Sequence, residues 1–282
     1  SSQWASALKK LDKKEIQMLK VYTSGSLFED REIPVSFQKL VLTTASDYGW
    51  HLIVESRTEQ LSDEKLSWAK SIHSDLSIAV GLEAHDDEVL RFHINKGFTV
   101  KSWRDACRRI RKHGIRSKTY LMLKPPFMSE ADALDHCISW IFSVSKETDE
   151  ISVNPMNIQR GTVIDRIFRA REYRPPWLWT IVALIEAVHE HLQNSNNVRL
   201  IVHPTGAGAV RGAHNCGLCD KEVAAAIERY AVDADLEDLQ RISCKCRTVW
   251  EHQIDLERNM PIPLGLNLNR RGPNDRRVIL SG

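Results

Sequence analysis

Short apolar, β-rich runs recur along the chain: Lys20-Val21-Tyr22, His51-Leu52-Ile53-Val54, Leu76-Ser77-Ile78-Ala79-Val80, Thr119-Tyr120-Leu121-Met122-Leu123, Ile151-Ser152-Val153 and Val198-Arg199-Leu200-Ile201-Val202. Segments of helical period lie between them. Ser62-Asp63-Glu64 and Ser129-Glu130 each place a capping hydroxyl ahead of acidic residues, the signature of a helix start. Trp103, Cys107 and Ile110 recur at helical spacing and stop at Gly114, with Arg104, Arg108 and Arg111 on other faces. A strand followed each time by a helix predicts an α/β fold of repeated βα units around a parallel sheet or barrel.

In such folds ligands gather where strands end and loops begin. After the first run comes Thr23-Ser24-Gly25-Ser26, after the second Glu55-Ser56-Arg57, after the third Gly81-Leu82-Glu83. The fourth is followed by Lys124-Pro125-Pro126-Phe127 and the fifth by Asn154-Pro155. One polar strand end is an ordinary solvated loop, but successive ones converging on a rim predict a pocket. Thr23, Ser24, Gly25 and Ser26 offer hydroxyls and a close-approach backbone for an amino-acid or phosphate head group, or else form a simple turn. Glu55 and Arg57 lie two apart and so point to one side, able to hold a zwitterion or ribose, or to form an ion pair on the rim. Glu83 could accept from ribose hydroxyls or an ammonium, and Asn154 could read an adenine edge. Gly206-x-Gly208 lacks the spacing of a nucleotide-binding loop and predicts a flexible connection.

Composition narrows the class. The 282 residues carry 39 Lys and Arg against 37 Asp and Glu, 42% hydrophobic and 27% charged, within the range of ordinary globular proteins. The greasiest stretch, 177–185, falls well short of the roughly 20 apolar residues that span a bilayer. No signal-peptide pattern opens the chain, which begins without Met directly in a helical pattern, as though cut at its N-terminus. Six cysteines are few for a disulfide scaffold, and four of them cluster late, which suits a cytoplasmic protein with one thiolate site. Cys216-x-x-Cys219 and Cys244-x-Cys246, separated by helix-like sequence, have the spacing to close a tetrahedron around zinc. His214 is a substitute ligand, and the alternatives are four reduced thiols or an iron–sulfur cluster.

Charge is locally uneven. Arg104, Arg108, Arg109, Arg111 and Lys112, with Arg116 and Lys118 beyond them, face Asp105 alone, and Arg270, Arg271, Arg276 and Arg277 make the tail basic. Such stripes attract nucleic-acid phosphates, although a charge run is also simply a solvated helix face. Tyr173, Trp177 and Trp179 beside Arg169, Arg171 and Arg174 could stack on an extruded base or pack the next helix.

The strand-end motifs resemble the radical S-adenosylmethionine (SAM) superfamily, and more narrowly the archaeosine-forming radical SAM proteins (RaSEA), relatives of the Elongator catalytic subunit. The resemblance runs through Tyr22-Thr23-Ser24-Gly25-Ser26, Val54-Glu55-Ser56-Arg57, Val80-Gly81-Leu82-Glu83, Ile94-Asn95-Lys96-Gly97-Phe98 and Tyr120-Leu121-Met122-Leu123-Lys124-Pro125-Pro126-Phe127. Its most specific stretch is Gln159-Arg160-Gly161-Thr162, followed by Arg171-Glu172-Tyr173-Arg174-Pro175-Pro176-Trp177-Leu178-Trp179, with Arg211-Gly212-Ala213-His214-Asn215-Cys216 and Cys219-Asp220 downstream. It implies a partial (βα) barrel over 1–203 and a small cysteine-site extension over 204–282. It further implies reductive SAM cleavage by a 4Fe-4S cluster and a C–N lyase step on a lysine-modified 7-deazaguanine of archaeal tRNA, with a lysine-transferring archaeosine synthase as partner. In that family's terms Thr23 to Ser26 would contact the amino-acid part of SAM, Glu55, Arg57 and Glu83 its carboxylate or ribose, with Asn154 nearby, and Tyr120 and Lys124 could face the substrate. The superfamily's CxxxCxxC cluster loop does not occur here. The resemblance would put that loop and the first strand upstream, and the alternatives are a cluster-free tRNA-binding subunit or another radical SAM tRNA modifier.

Overall fold

The computed structural model describes residues 2–9, 15–22, 25–194 and 198–259. Thr23, Ser24 and the basic tail residues Arg270, Arg271, Arg276 and Arg277 lie outside them. In chain order the elements begin α1 Ser2–Lys9, β1 Met18–Val21, α2 Val35–Tyr48, β2 His51–Glu55, α3 Asp63–Ile72 and β3 Leu76–Glu83. They continue with α4 Asp87–Val89, a π-helical turn Leu90–Ile94, α5 Val100–Lys112, β4 Arg116–Leu123, α6 Glu130–Val144 and β5 Glu150–Pro155. The last are α7 Val163–Arg169, α8 Leu178–Asn194, β6 Arg199–Val202, α9 Asp220–Asp233, α10 Glu237–Arg241 and α11 Cys246–Asn259. All six apolar runs are strands, and they form one parallel sheet in the order β1-β2-β3-β4-β5-β6.

The caps explain where the helices start. Ser62 accepts from the Lys65 amide at 3.1 Å and Ser129 from the Asp132 amide at 3.0 Å, as the sequence predicts. Thr99 and Thr162 cap α5 and α7 in the same way. The chain leaves α5 through Gly114 at φ 61°.

Period two sorts each strand into faces. Leu52 and Val54, Ile78, Val80 and Leu82, Leu121 and Leu123, Ile151 and Val153, and Leu200 and Val202 join one buried cluster with the helices. Most of the alternate positions are polar or small, among them Lys20, Glu55, Ala79, Gly81, Glu83, Lys118, Tyr120, Ser152 and Asn154. Together with Ile201 they line a single cavity of about 680 Å³, so the sheet curls and its concave side is open rather than filled. A closed βα barrel instead fills its interior with branched apolar residues. The result is a half-barrel, as the family resemblance implies.

Residues 204–259 pack onto this half-barrel. α9 lies on β6 and α8, and α11 on α6. Val223, Ile227, Trp250 and Ile254 share the barrel's buried cluster. The predicted flexible connection at Gly206-x-Gly208 is instead a hydrogen-bonded turn, with the Gly208 amide on Ala213 O at 2.9 Å and the Gly212 amide on Ala209 O at 2.9 Å. Gly212 permits it, because a Cβ there would sit 2.2 Å from the Gly206 carbonyl oxygen. No described helix is long and apolar enough to cross a membrane.

Candidate functional site

Gly25, Glu55, Arg57, Glu83 and Asn154, drawn from the loop after β1 and the ends of β2, β3 and β5, all line the cavity. Ser26 does not; it is buried, with its hydroxyl 2.8 Å from that of Ser56. Arg57 pairs with Glu29 at 3.0 Å and Glu59 at 3.2 Å. Glu83 sits at φ 72°, uncommon for a residue with a Cβ, where the pairing of β3 with β4 slips between Gly81 and Glu83. Its carboxylate meets Lys96 at 3.1 Å, both groups facing the cavity.

The floor holds more chemistry than the strand ends alone suggest. Lys118, 3% exposed, pairs with Glu150 at 2.8 Å and lies 5.2 Å from the centroid of the Tyr120 ring. Burial, with a hydrogen bond to Tyr22 behind it, pushes the Tyr120 hydroxyl pKa up, so it stays protonated as a donor. Lys20 and His203 complete the two ends of the floor. Of the two residues proposed to face substrate, Tyr120 lines the cavity, whereas Lys124 is buried beneath it against Glu130 at 2.6 Å. Sequence reasoning does not identify Lys96, Lys118, Lys20 or His203 as cavity residues. The signal that finds the strand lysines is the polar residue at every second position of an otherwise apolar strand.

The four late cysteines meet. Cys216 and Cys244 sulfurs lie 3.8 Å apart, Cys219 and Cys246 3.6 Å, Cys216 and Cys219 4.0 Å. All four lie within 4.8 Å of one another. A tetrahedron with Zn–S bonds of about 2.3 Å has edges of about 3.8 Å, so the set fits a single tetrahedral ion. A cubane cluster, with each thiolate on a different iron, needs wider spacing. The loop is shaped for this: Asp220 accepts the Asn215 and Gly217 amides at 2.9 and 2.7 Å. Trp179 Nε1 and Asn215 Nδ2 donate to Cys246 and Cys219 sulfurs at 3.2 and 3.4 Å, the outer contacts that orient thiolate ligands. The Leu218 amide leads the groups that lower the Cys216 pKa to about 7. His214 is not in the set; its Nδ1 faces Gly212 O at 2.8 Å.

Each of the basic residues of α5 singled out from the sequence has a partner within the fold. Arg104 meets Glu147 at 3.5 Å, Arg108 meets Asp105 at 3.9 Å, and Lys112 meets Asp63 at 3.0 Å. Arg109 donates to Leu61 O at 2.7 Å and Arg111 to Lys146 O at 3.4 Å. The aromatic trio belongs mostly to packing. Trp179 and Tyr173 are buried, the Tyr173 hydroxyl donates to Lys124 O at 2.7 Å, and Trp177 is stacked at 4.0 Å by Arg174.

No family model matches the chain. It is 33% identical over 263 residues to the archaeosine synthase subunit beta of Methanosarcina acetivorans, covering 91% of this chain and 74% of that protein. It is also 33% identical over 242 residues to the archaeosine synthase subunit beta of Thermococcus kodakarensis, covering 84% and 74%. Among solved structures, the archaeal Methanocaldococcus infernus Elp3 with an N-terminal deletion superposes with a TM-score of 0.58 at 12% identity. That match covers 84% of this chain and 59% of the other, and it supports the fold alone. The two curated relatives agree with the family that the strand-end and Arg-Gly-rich motifs resemble, and at this identity across most of its length the chain belongs to the archaeosine synthase subunit beta family.

Proposed function

We propose that this chain is the SAM-binding half-barrel of an archaeosine synthase, contributing to C–N bond cleavage on a lysine-modified 7-deazaguanine in tRNA. The observation that carries this is the cavity, which collects carboxylates, cations and an amide from five of the six strands on one concave face. SAM fits that donor set. Glu83 and Glu55 suit its ribose hydroxyls or ammonium, Lys96 and Arg57 its carboxylate, and Asn154 an adenine edge, beside the Gly25 backbone. Lys118, Tyr120 and His203, further round the floor, suit the polar base and amino-acid tail of a second ligand. About 680 Å³ lies within the range of small-molecule sites.

A 4Fe-4S cluster supplies the electron that cleaves SAM in radical SAM enzymes. Among the described residues no cysteine lines the cavity; Cys107 and Cys137 are buried within helices and the other four form the C-terminal set. The described residues therefore do not fit a cluster at the cavity. What they do is bind and orient SAM and substrate on the concave face. The C-terminal thiolates fit zinc, holding the loop before α9 to the start of α11. Free thiols and a thiolate site suit a reducing cytoplasm. The working partners are tRNA and the lysine-transferring archaeosine synthase that prepares the base.

Calorimetric titration of the chain with SAM tests the cavity assignment: binding is expected, weakened by Glu83→Gln and Asn154→Ala, and no heat or no response to either change would overturn it. Mass spectrometry of lysine-modified tRNA incubated anaerobically with the complete gene product and a reductant tests the reaction. Archaeosine is the expected product, and an unchanged nucleoside with SAM consumed elsewhere would refute the lyase reading.

A further inference from the structure

We infer that the tRNA phosphate backbone docks on the α7 rim rather than along α5, an assignment that rests on the tRNA reading above. Arg160, Arg166 and Arg171 are exposed, and no hydrogen bond or ion pair engages their side chains among the described residues. Within α7, Val163, Arg166 and Arg169 are neighbours at three-residue spacing, and Arg160 and Arg171 flank the helix at its two ends. Val163 is 54% exposed among them, while Ile164, Ile167 and Phe168 turn inward to pack with Ile158 and Tyr173. Arg169 is two-thirds exposed although it pairs with Asp165 at 3.1 Å.

The platform beneath is rigid. Asp165 accepts from the Gly161 amide at 3.0 Å and from Arg211 at 2.7 Å, and these bonds, led by the amide, hold its pKa far below the usual carboxylate range. Its charge is thus spent within the fold, leaving Glu172 as the exposed acid in 156–176 against Arg160, Arg166, Arg169 and Arg171. The loop leading to α7 is tied to the post-β6 segment by the Ile158 amide on Arg211 O at 2.8 Å and by Asn157 on Thr205 O at 3.0 Å. The Tyr173 hydroxyl fastens the other end to the close of β4. The segment that carries the arginines thus runs from the end of β5 and is tied to the segments that follow β4 and β6, on the side of the cavity lined by Asn154 and His203.

Free guanidinium groups on a fixed scaffold suit phosphate oxygens, because their forked donors need no release from an internal partner before binding. The α5 cations would each surrender a carboxylate or carbonyl. A backbone held at the α7 rim would also present an unstacked base to the adjoining cavity, as single-stranded RNA recognition requires.

The test is tRNA binding by fluorescence anisotropy across a salt series. It compares the wild-type chain, the triple variant Arg160→Gln/Arg166→Gln/Arg171→Gln, and the α5 double variant Arg108→Gln/Lys112→Gln. The triple variant is expected to lose roughly tenfold or more in affinity, with a log–log salt slope shallower by about three. Its SAM affinity and melting temperature should stay at wild-type values, and the α5 double variant should bind as wild type. The single Arg166→Gln change should lower the slope by about one, which keeps the test open if the triple variant is unstable. Wild-type affinity and slope in the triple variant, or losses confined to the α5 variant, overturn the docking surface alone. Absence of tRNA binding by the wild-type chain overturns the tRNA reading and this surface with it.

Discussion

The Lys124 ammonium lies 2.6 Å from the Glu130 carboxylate with both side chains almost wholly removed from solvent. The other Glu130 oxygen accepts from the Trp177 amide at 2.8 Å and from the Thr180 hydroxyl, which in turn receives Trp250 Nε1 at 2.9 Å. One carboxylate thus joins the turn after β4 to the starts of α6 and α8 and to α11. Removing one member of a buried pair leaves the other charge stranded, at a cost of about 3–5 kcal/mol. Glu130→Ala should lower the unfolding free energy by about that much in urea, and the double change Lys124→Met/Glu130→Leu by less. A loss under about 1 kcal/mol for Glu130→Ala would mean the network is dispensable.

Gly81 separates binding from stability. A Cβ there would lie 2.7 Å from Glu83 Oε1 and 3.3 Å from Lys96 Nζ, both ends of flexible side chains. Gly81→Ala should therefore push the Glu83–Lys96 pair aside without disturbing the sheet. SAM affinity should fall about tenfold, ~1.4 kcal/mol, while the melting temperature stays level or rises slightly as the unfolded chain loses freedom. Unaltered SAM titration would place the ligand away from Glu83.

Metal content has a direct readout. The chain purified without chelator should hold about one zinc ion per molecule, and Cys219→Ser or Cys246→Ser should abolish it and depress the melting temperature. Chelation of the wild type should reproduce that depression, since metal binding and folding are linked. Zinc content that survives either serine substitution would show that the four sulfurs are not the ligands.

Acid should destabilise the protein before its carboxylates titrate. Burial holds the pKa values of His73, His85 and His93 below the ordinary value, assisted at His85 by the Arg104 charge. As pH falls through about 6.5, the unfolded chain takes up protons at these positions first. Stability is thus fully present above that value and declines as pH drops toward the folded-state pKa values. Chemical denaturation from pH 7.5 to 5.5 should show this decline, and His93→Gln should flatten it. A level profile would contradict the burial of these rings.

The strands were legible because a buried parallel sheet demands apolar residues on its helix-facing side, and Ile78, Leu121, Val153 and Leu200 supply it. The cysteine set was legible because two short-spaced thiol pairs serve few other purposes. Lys118 was read as part of a basic stripe, since a sequence cannot show that its strand turns it inward while Arg104 and Arg108 stay outside on a helix. Tyr173 and Trp179 looked available for stacking because their burial is decided by α7, α8 and α11 meeting in space. Gly206-x-Gly208 looked mobile because what fixes it, the approach of Gly212, is visible only in three dimensions.

The strictly sequential order of the sheet bears on how the chain can be built. Every strand from β2 onward finds a hydrogen-bonding neighbour in the strand just before it, so none must wait for sequence still to be synthesised. Such a sheet can grow as the polypeptide leaves the ribosome, each βα unit docking on a finished edge. The cysteines behave differently, because Cys216 and Cys219 meet Cys244 and Cys246 only when α11 folds back against α6, with Cys246 and Trp250 reaching Trp179 and Thr180 of α8. The four thiols are then the last groups to come together, a latch that closes on a barrel already made.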